Sequence, residues 1–256
     1  MLDILNEIIS GSLYAWLLIF VRFGAAIFLL PGFGDSTVSP RVRLLLALLI
    51  SFLMTPILAD RLPPQPELVS ELGLLIVSET MIGAFFGTLM RLILAAVEVT
   101  GQIIALNSGL ANAFLFNPMF NSQSSLPSAL LATAALTIIF VTDMHHLMFA
   151  ALADTYNVFE PGAPIPVEDM AEMVSLKTME SFSIGAQLAA PFIIVTLLFF
   201  MSLGVLARIM PQMQIFFVAL PVQQLGGMIL MAVGLGSILM AWAEYADSQI
   251  GMFVAP

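Results

Sequence analysis

The chain has 256 residues, of which 60% are hydrophobic and only 9% charged, whereas an ordinary soluble domain carries about 25% charged residues. Its 7 Lys and Arg against 17 Asp and Glu give a formal net charge of -10, which argues against a nucleic-acid binder and against a polybasic grip on anionic lipid. The absence of Cys excludes a disulfide framework, a thiolate metal site, a Cys nucleophile and a thioether-bound haem.

The apolar residues fall in long blocks separated by short polar gaps, the pattern of an integral membrane protein. Residues 1–10 hold Asp3 and Glu7 but no Lys or Arg. They lack the positive region of a cleavable secretory signal, so the first block is expected to stay in the mature protein. A hydrocarbon core about 30 Å thick needs about 20 apolar residues in a helix. The blocks at 12–31, 44–59, 68–99, 127–153, 182–207 and 212–243 are read as the six spans of an all-α membrane protein. Arg61-Leu62-Pro63-Pro64-Gln65-Pro66 separates the second from the third, because its prolines deny the backbone a helix.

Orientation follows from Lys and Arg in short loops. Arg41 and Arg43 lie between the first two blocks and Arg208 between the last two, which puts both loops on the cytoplasmic side. The 28-residue loop 154–181 has Lys177 as its only base against Asp154, Glu160, Glu168, Asp169, Glu172 and Glu180, and is assigned to the outer face. These assignments agree only if the stretch 101–126 begins and ends inside.

That stretch is the odd one. Residues 101–116 are hydrophobic, yet they include Gln102, Asn107, Ser108 and Asn112 and lead into Asn117-Pro118. Short apolar stretches are more often re-entrant or interfacial than spanning, and irregular backbone at membrane depth must be buried in protein or line a cavity. A pore-lining or plug segment is the functional reading. A plain amphipathic connector on the inner membrane surface is the alternative. The lack of any Lys or Arg between Arg91 and Lys177 weakens it, because interfacial helices usually carry cations on their polar face. Gly101, Ala105, Gly109 and Ala113 recur every four residues and offer a smooth face for close helix packing, with a helix break expected near Asn117-Pro118.

Four charges fall inside apolar blocks: Arg22, Glu79, Arg91 and Asp143. Charges at that depth are costly and are normally paired or turned toward protein. Arg22 can pair with Glu79 or with Asp143, and the sequence does not choose. An ion pair fixing helix registry is favoured over a proton relay, because a relay wants carboxylates stacked on one face. His145 and His146 stand beside Asp143, but adjacent residues on a helix point about 100° apart, and no His-Glu-x-x-His pair is present. No metal site is expected on that ground. There is also no phosphate-binding Gly-x-x-x-x-Gly-Lys loop and no Gly-x-Ser-x-Gly turn. Gly83 and Gly87 form a Gly-x-x-x-Gly face suited to tight helix packing. The 17 Met residues can serve as a deformable seal or as ordinary apolar filler.

Three stretches carry a family resemblance. Pro31-Gly32-Phe33-Gly34 is followed by Val38-Ser39-Pro40-Arg41-Val42-Arg43 and a Leu-rich helix ending at Pro56. Gly101-Gln102-Ile103-Ile104 leads to Gly109-Leu110-Ala111 and Asn117-Pro118. Ala207-Arg208-Ile209-Met210-Pro211-Gln212-Met213-Gln214-Ile215-Phe216 precedes Leu220-Pro221. In this order and spacing they resemble the flagellar biosynthetic protein FliR family and its injectisome relatives over essentially the whole chain.

The resemblance implies a non-enzymatic subunit of the type III export gate, which passes unfolded flagellar subunits across the bacterial inner membrane at the flagellar basal body. It implies partnership with several copies of FliP and FliQ in a helical ring, with FlhB around the cytoplasmic mouth and FlhA nearby, and no bound cofactor. It implies bent hairpins partly lifted out of the membrane plane. By the same resemblance, residues 1–181 are FliP-like, containing a plug loop at 106–126 and the outer loop at 154–181, and 182–256 form a FliQ-like hairpin. The turn bearing Arg208, Pro211, Gln212 and Gln214 would face FlhB. Asn112, Phe114, Phe116, Asn117, Pro118, Met119 and Phe120 map to the pore plug, where Phe114, Phe116, Met119 and Phe120 are expected to constrict, since bulky apolar groups dewet a channel and still yield to a polypeptide. Many members carry an acid before the loop proline; Asn117 stands here, so any role of that acid is not carried over. The rival from a different class is a proton-coupled small-solute transporter using Arg22, Glu79 and Asp143.

Overall fold

The computed structural model describes residues 2–35, 37–110, 125–210 and 215–253. The described residues form helices α1 (Leu2–Leu29), α2 (Pro40–Leu58), α3 (Val69–Asn107), α4 (Leu126–Val141), α5 (Met144–Val158), α6 (Val167–Leu188), α7 (Ala190–Ile209) and α8 (Ile215–Gly251), with a 3-10 turn at Ala59–Arg61. No strand occurs among them, and the protein is all-α. Five helices are long and apolar enough to cross a membrane, or up to six if the pair α4 and α5, bent by 74°, is taken as one span.

Local chemistry explains several boundaries. Ser39 caps α2 by accepting from the amide of Val42 at 3.4 Å, and Pro40 follows at the first helical position, where its missing N–H costs nothing. Ala189 separates α6 from α7 and Pro191 opens the new helix, since a proline ring clashes with the carbonyl four residues back. Glu168 and Asp169 occupy the first turn of α6, where acidic groups favour the positive end of the helix dipole.

Two expectations need correction. Residues 101–107 are not a separate re-entrant piece but the last turns of α3, a single helix of 39 residues. At 1.5 Å per residue it is about 58 Å long, nearly twice the hydrocarbon thickness. It ends ten residues before Asn117, where Gly109 takes a left-handed φ of 72° that glycine adopts without strain. The stretch 154–181 is likewise not one long loop: 154–158 finish α5, and α6 begins at Val167.

The chain divides into two compact units. One comprises Met1–Leu92, Thr142–Lys177 and Ser248–Pro256; the other comprises Ile93–Val141 and Thr178–Asp247. In the first unit the buried stripe of α1 runs Leu18, Ile19, Arg22, Phe23, Ala26 and Ile27, the three-to-four spacing of one helical face. Arg22 therefore sits inside an apolar stripe. A Cβ on Gly83 would lie 2.2 Å from the backbone oxygen of Arg22, so α3 approaches α1 at backbone distance, as small residues in membrane helices permit. Phe85 and Leu89 of α3 pack with Met170 of α6, backed by Phe159, Ile165, Val174 and Phe253.

In the second unit Trp242 of α8 is fully buried and donates its indole N–H to the Ile93 carbonyl at 3.0 Å. A Cβ on Gly101 would meet the Ser128 Cα at 2.2 Å, which brings α4 against the end of α3. The Ser128 hydroxyl donates to the Glu98 carbonyl at 3.0 Å, and the Thr100 hydroxyl donates to the Gly185 carbonyl at 3.3 Å.

Candidate functional site: a buried charge cluster and the end of helix α3

Arg22 and Glu79 form a two-point ion pair in the first unit. Arg22 Nε lies 2.6 Å from Glu79 Oε2 and Nη2 lies 2.9 Å from Oε1, with both side chains fully buried. Two further guanidinium hydrogens are used as well. Nη1 donates to the Thr155 hydroxyl at 3.1 Å and Nη2 to the Phe159 carbonyl at 3.1 Å. The Tyr156 ring lies beneath the guanidinium carbon, 3.7 Å from its centroid. Arginine suits this position, because its planar fork matches a carboxylate and stacks on a ring at once. The arrangement ties α1, α3 and α5 together. It holds Arg22 and Glu79 in a fixed pair.

Asp143 does not join this cluster. It stands between α4 and α5, exposed, with Oδ1 3.4 Å from His146 Nδ1. The relay suggested by Arg22, Glu79 and Asp143 thus lacks its third member at the pair.

Arg91 reaches instead to Asp35, at 3.0 Å, in the loop between α1 and α2. The other Asp35 oxygen accepts from the Gly32 amide at 3.1 Å. Arg43 donates to the carbonyls of Asp35 and Val38 at 2.5 and 2.9 Å. One acid and two arginines thus join the loop after α1 to the start of α2 and to α3. Asp35 had no signal of its own in the sequence, as exposed loop acids are common.

At the end of α3 in the second unit, the Asn107 carbonyl accepts from the Thr196 hydroxyl at 3.1 Å and from Gln223 Nε2 at 2.7 Å. The last four carbonyls of a helix lack partners within it; for Asn107, side chains from α7 and α8 supply them. A cavity of about 150 Å³ adjoins this point, lined by Asn107, Ser108, Phe192, Thr196, Gln223 and Gly227 among others. Gln223 and Thr196 were missed by sequence reasoning, because a side chain bonded to a distant carbonyl leaves no pattern.

Asn112, Phe114, Phe116, Asn117, Pro118, Met119 and Phe120 lie outside the described residues, as do Pro211, Gln212 and Gln214. Arg208 is described: it is exposed in the last turn of α7, where a cation complements the negative end of the dipole.

The family model described as "Bacterial export proteins, family 1" matches residues 13–248. The flagellar biosynthetic protein FliR of Caulobacter vibrioides is 35% identical over 242 residues, 94% of this chain and 96% of its own. The chain belongs to the FliR family of bacterial export proteins. The FliR of Escherichia coli is 30% identical over 93% of this chain and 90% of its own, and that of Bacillus subtilis 27% over 82% and 81%. The chain is therefore a membrane component of the flagellar export apparatus, which acts in protein transport and flagellum biogenesis. Its FliR-like stretches have physical roles in the fold. Ser39-Pro40 caps α2, Arg43 ties the preceding loop, and Gly101 admits α4 against α3.

Proposed function

We propose that this FliR-family chain joins FliP and FliQ in the channel that passes unfolded export substrates across the bacterial inner membrane at the flagellar basal body. The observation that carries the reading is the collinear match along nearly the whole chain, 94% of it and 96% of the Caulobacter vibrioides relative. Exposure supports a partner role: the apolar windows of α7 and α8 are only 6% and 11% buried, against 50% and 56% for α1 and α3. Apolar faces so open need lipid or other subunits to cover them.

In this reading residues 1–181 play the FliP-like part and 182–256 the FliQ-like hairpin. FlhB meets the turn at Arg208, Pro211, Gln212 and Gln214, with FlhA close by. The segment from Asn112 to Phe120 closes the pore, with Phe114, Phe116, Met119 and Phe120 at the constriction. The chain needs no cofactor and performs no covalent chemistry.

Co-purification tests the assembly. Tagged chain extracted from membranes that also express FliP and FliQ should elute with both as one particle; elution without them overturns the reading. Deleting 112–122 should leave that particle assembled and leaky to small ions in planar-bilayer recordings. Wild-type conductance in an assembled deletion complex removes the plug role.

A further inference from the structure

Helix α4 stops at Val141 and α5 starts at Met144, with the two bent by 74°. Between them Asp143 adopts a left-handed backbone, φ 59° and ψ 14°. The spacing argument against metal binding concerns His145 and His146, which both lie in the first turn of α5 and keep the 100° step between neighbours. Asp143 stands ahead of that turn, and the distances between the three side chains decide whether they converge.

We propose that Asp143, His145 and His146 bind a single borderline divalent transition cation of the zinc, nickel or copper class. One ligand atom from each residue lies within 4.8 Å of the other two. The Asp143 oxygen and His146 Nδ1 are 3.4 Å apart. Four ligands at about 2.0–2.1 Å around a tetrahedral ion are separated by about 3.4 Å, so this pair already has the spacing of a coordination edge. The rings of His145 and His146 are tilted by 37° with centroids 4.1 Å apart. Both imidazoles thus lie on the side of the break where Asp143 stands, and rotation of exposed side chains closes the remaining gap.

The donor set selects the ion. Two imidazoles and one carboxylate suit zinc, nickel and copper, whereas calcium and magnesium require shells of oxygen. The exposure of Asp143 and His146, 74% and 71%, leaves outer coordination positions for water or for a ligand from another subunit. Polar groups so exposed on an otherwise apolar helix pair are costly against hydrocarbon, so the break faces water or protein, where a cation can reach it. Bound there, the ion links the turn to the first turn of α5.

The test uses the full chain in detergent, purified without a histidine tag and stripped with chelator. After exposure to Zn²⁺ and desalting it should retain one equivalent. Loaded with Cu²⁺, it should show nitrogen couplings from two imidazoles by electron paramagnetic resonance. The combined change Asp143→Asn with His146→Gln should weaken retention by at least about tenfold, with helicity and elution volume unchanged. Affinity should fall on acidification, because imidazole ligands must be deprotonated. Loss of the metal on desalting, or a copper spectrum with fewer than two nitrogen couplings, overturns the proposal. So does a folded variant that binds as the parent does. The spectrum of the unaltered chain decides the matter even where the variant does not fold.

Discussion

Arg22 and Glu79, 57 residues apart, meet through two hydrogen bonds of 2.6 and 2.9 Å with neither side chain exposed to solvent. A buried pair of this kind is held by its geometry. Its Coulomb attraction is set against the cost of desolvating two charges, and removing one partner strands the other. Glu79→Gln is therefore expected to destabilise the protein by about 3–5 kcal/mol, seen as a lower melting temperature in detergent and less chain in the membrane. The combined change Arg22→Met with Glu79→Leu removes both charges and is expected to recover most of the loss. A double variant no more stable than Glu79→Gln would show that the pair matters beyond charge balance.

Arg91 and Asp35 provide the contrast. Their distance, 3.0 Å, is similar, but Arg91 is 45% exposed, and solvent screens such pairs to at most about 1 kcal/mol. Arg91→Gln should shift the melting temperature far less than Glu79→Gln, and added salt should shrink the difference further. A loss equal to that of Glu79→Gln would mean that the loop between α1 and α2 contributes to the core.

How much of this was legible in the sequence depends on the range of the interaction. Arg22 at a buried stripe position could be read from spacing, and so could Gly83 as a packing face. The choice of Glu79 over Asp143 could not, since it rests on how α1, α3 and α5 pack. The end of α3 was misread because Gln102, Asn107 and Ser108 looked like a break in an apolar run. The buried positions Ala96, Val97, Thr100 and Ile104 in fact continue one helical face, and Asn107 bonds back to the Ile103 carbonyl at 2.8 Å. Helix α6 reads as a loop when its sequence is weighed only for crossing a bilayer. It is amphipathic instead, with Met170 and Val174 packed on Phe85 and Leu89. Thr155, Tyr156 and Gln223 were invisible for a common reason: each acts on a group far away in sequence.

The Gly83 contact gives a change of sign. An added Cβ would lie 2.2 Å from the Arg22 carbonyl oxygen, a backbone atom that cannot turn aside, whereas Gly73 in the same helix has nothing within 4 Å. Gly83→Ala should force α1 and α3 apart and cost about 1–3 kcal/mol. Gly73→Ala should stabilise by about 0.5–1 kcal/mol through helix propensity. Thermal unfolding of the two variants, side by side in one detergent, checks both signs. Opposite expectations on one helix leave little room for a general effect of substitution.

The Asn107 carbonyl, held by Thr196 and Gln223 at 3.1 and 2.7 Å, gives a prediction about local order. A helix-end carbonyl that keeps one partner loses little when the other goes, about 0.5–1.5 kcal/mol for a single hydrogen bond. Gln223→Leu or Thr196→Val alone should then raise amide exchange modestly in the last turn of α3. The double change leaves the carbonyl without either donor and adds its desolvation penalty, about 1–3 kcal/mol when buried. The two losses should consequently be more than additive, and hydrogen exchange followed by mass spectrometry over residues 100–110 measures the excess. Exchange at α1 serves as the internal reference, because a local clamp leaves it unchanged while global unfolding does not. Additive single effects, or equal acceleration in α1, would assign the two side chains to general packing and leave the end of α3 to be held by Gly101 against Ser128.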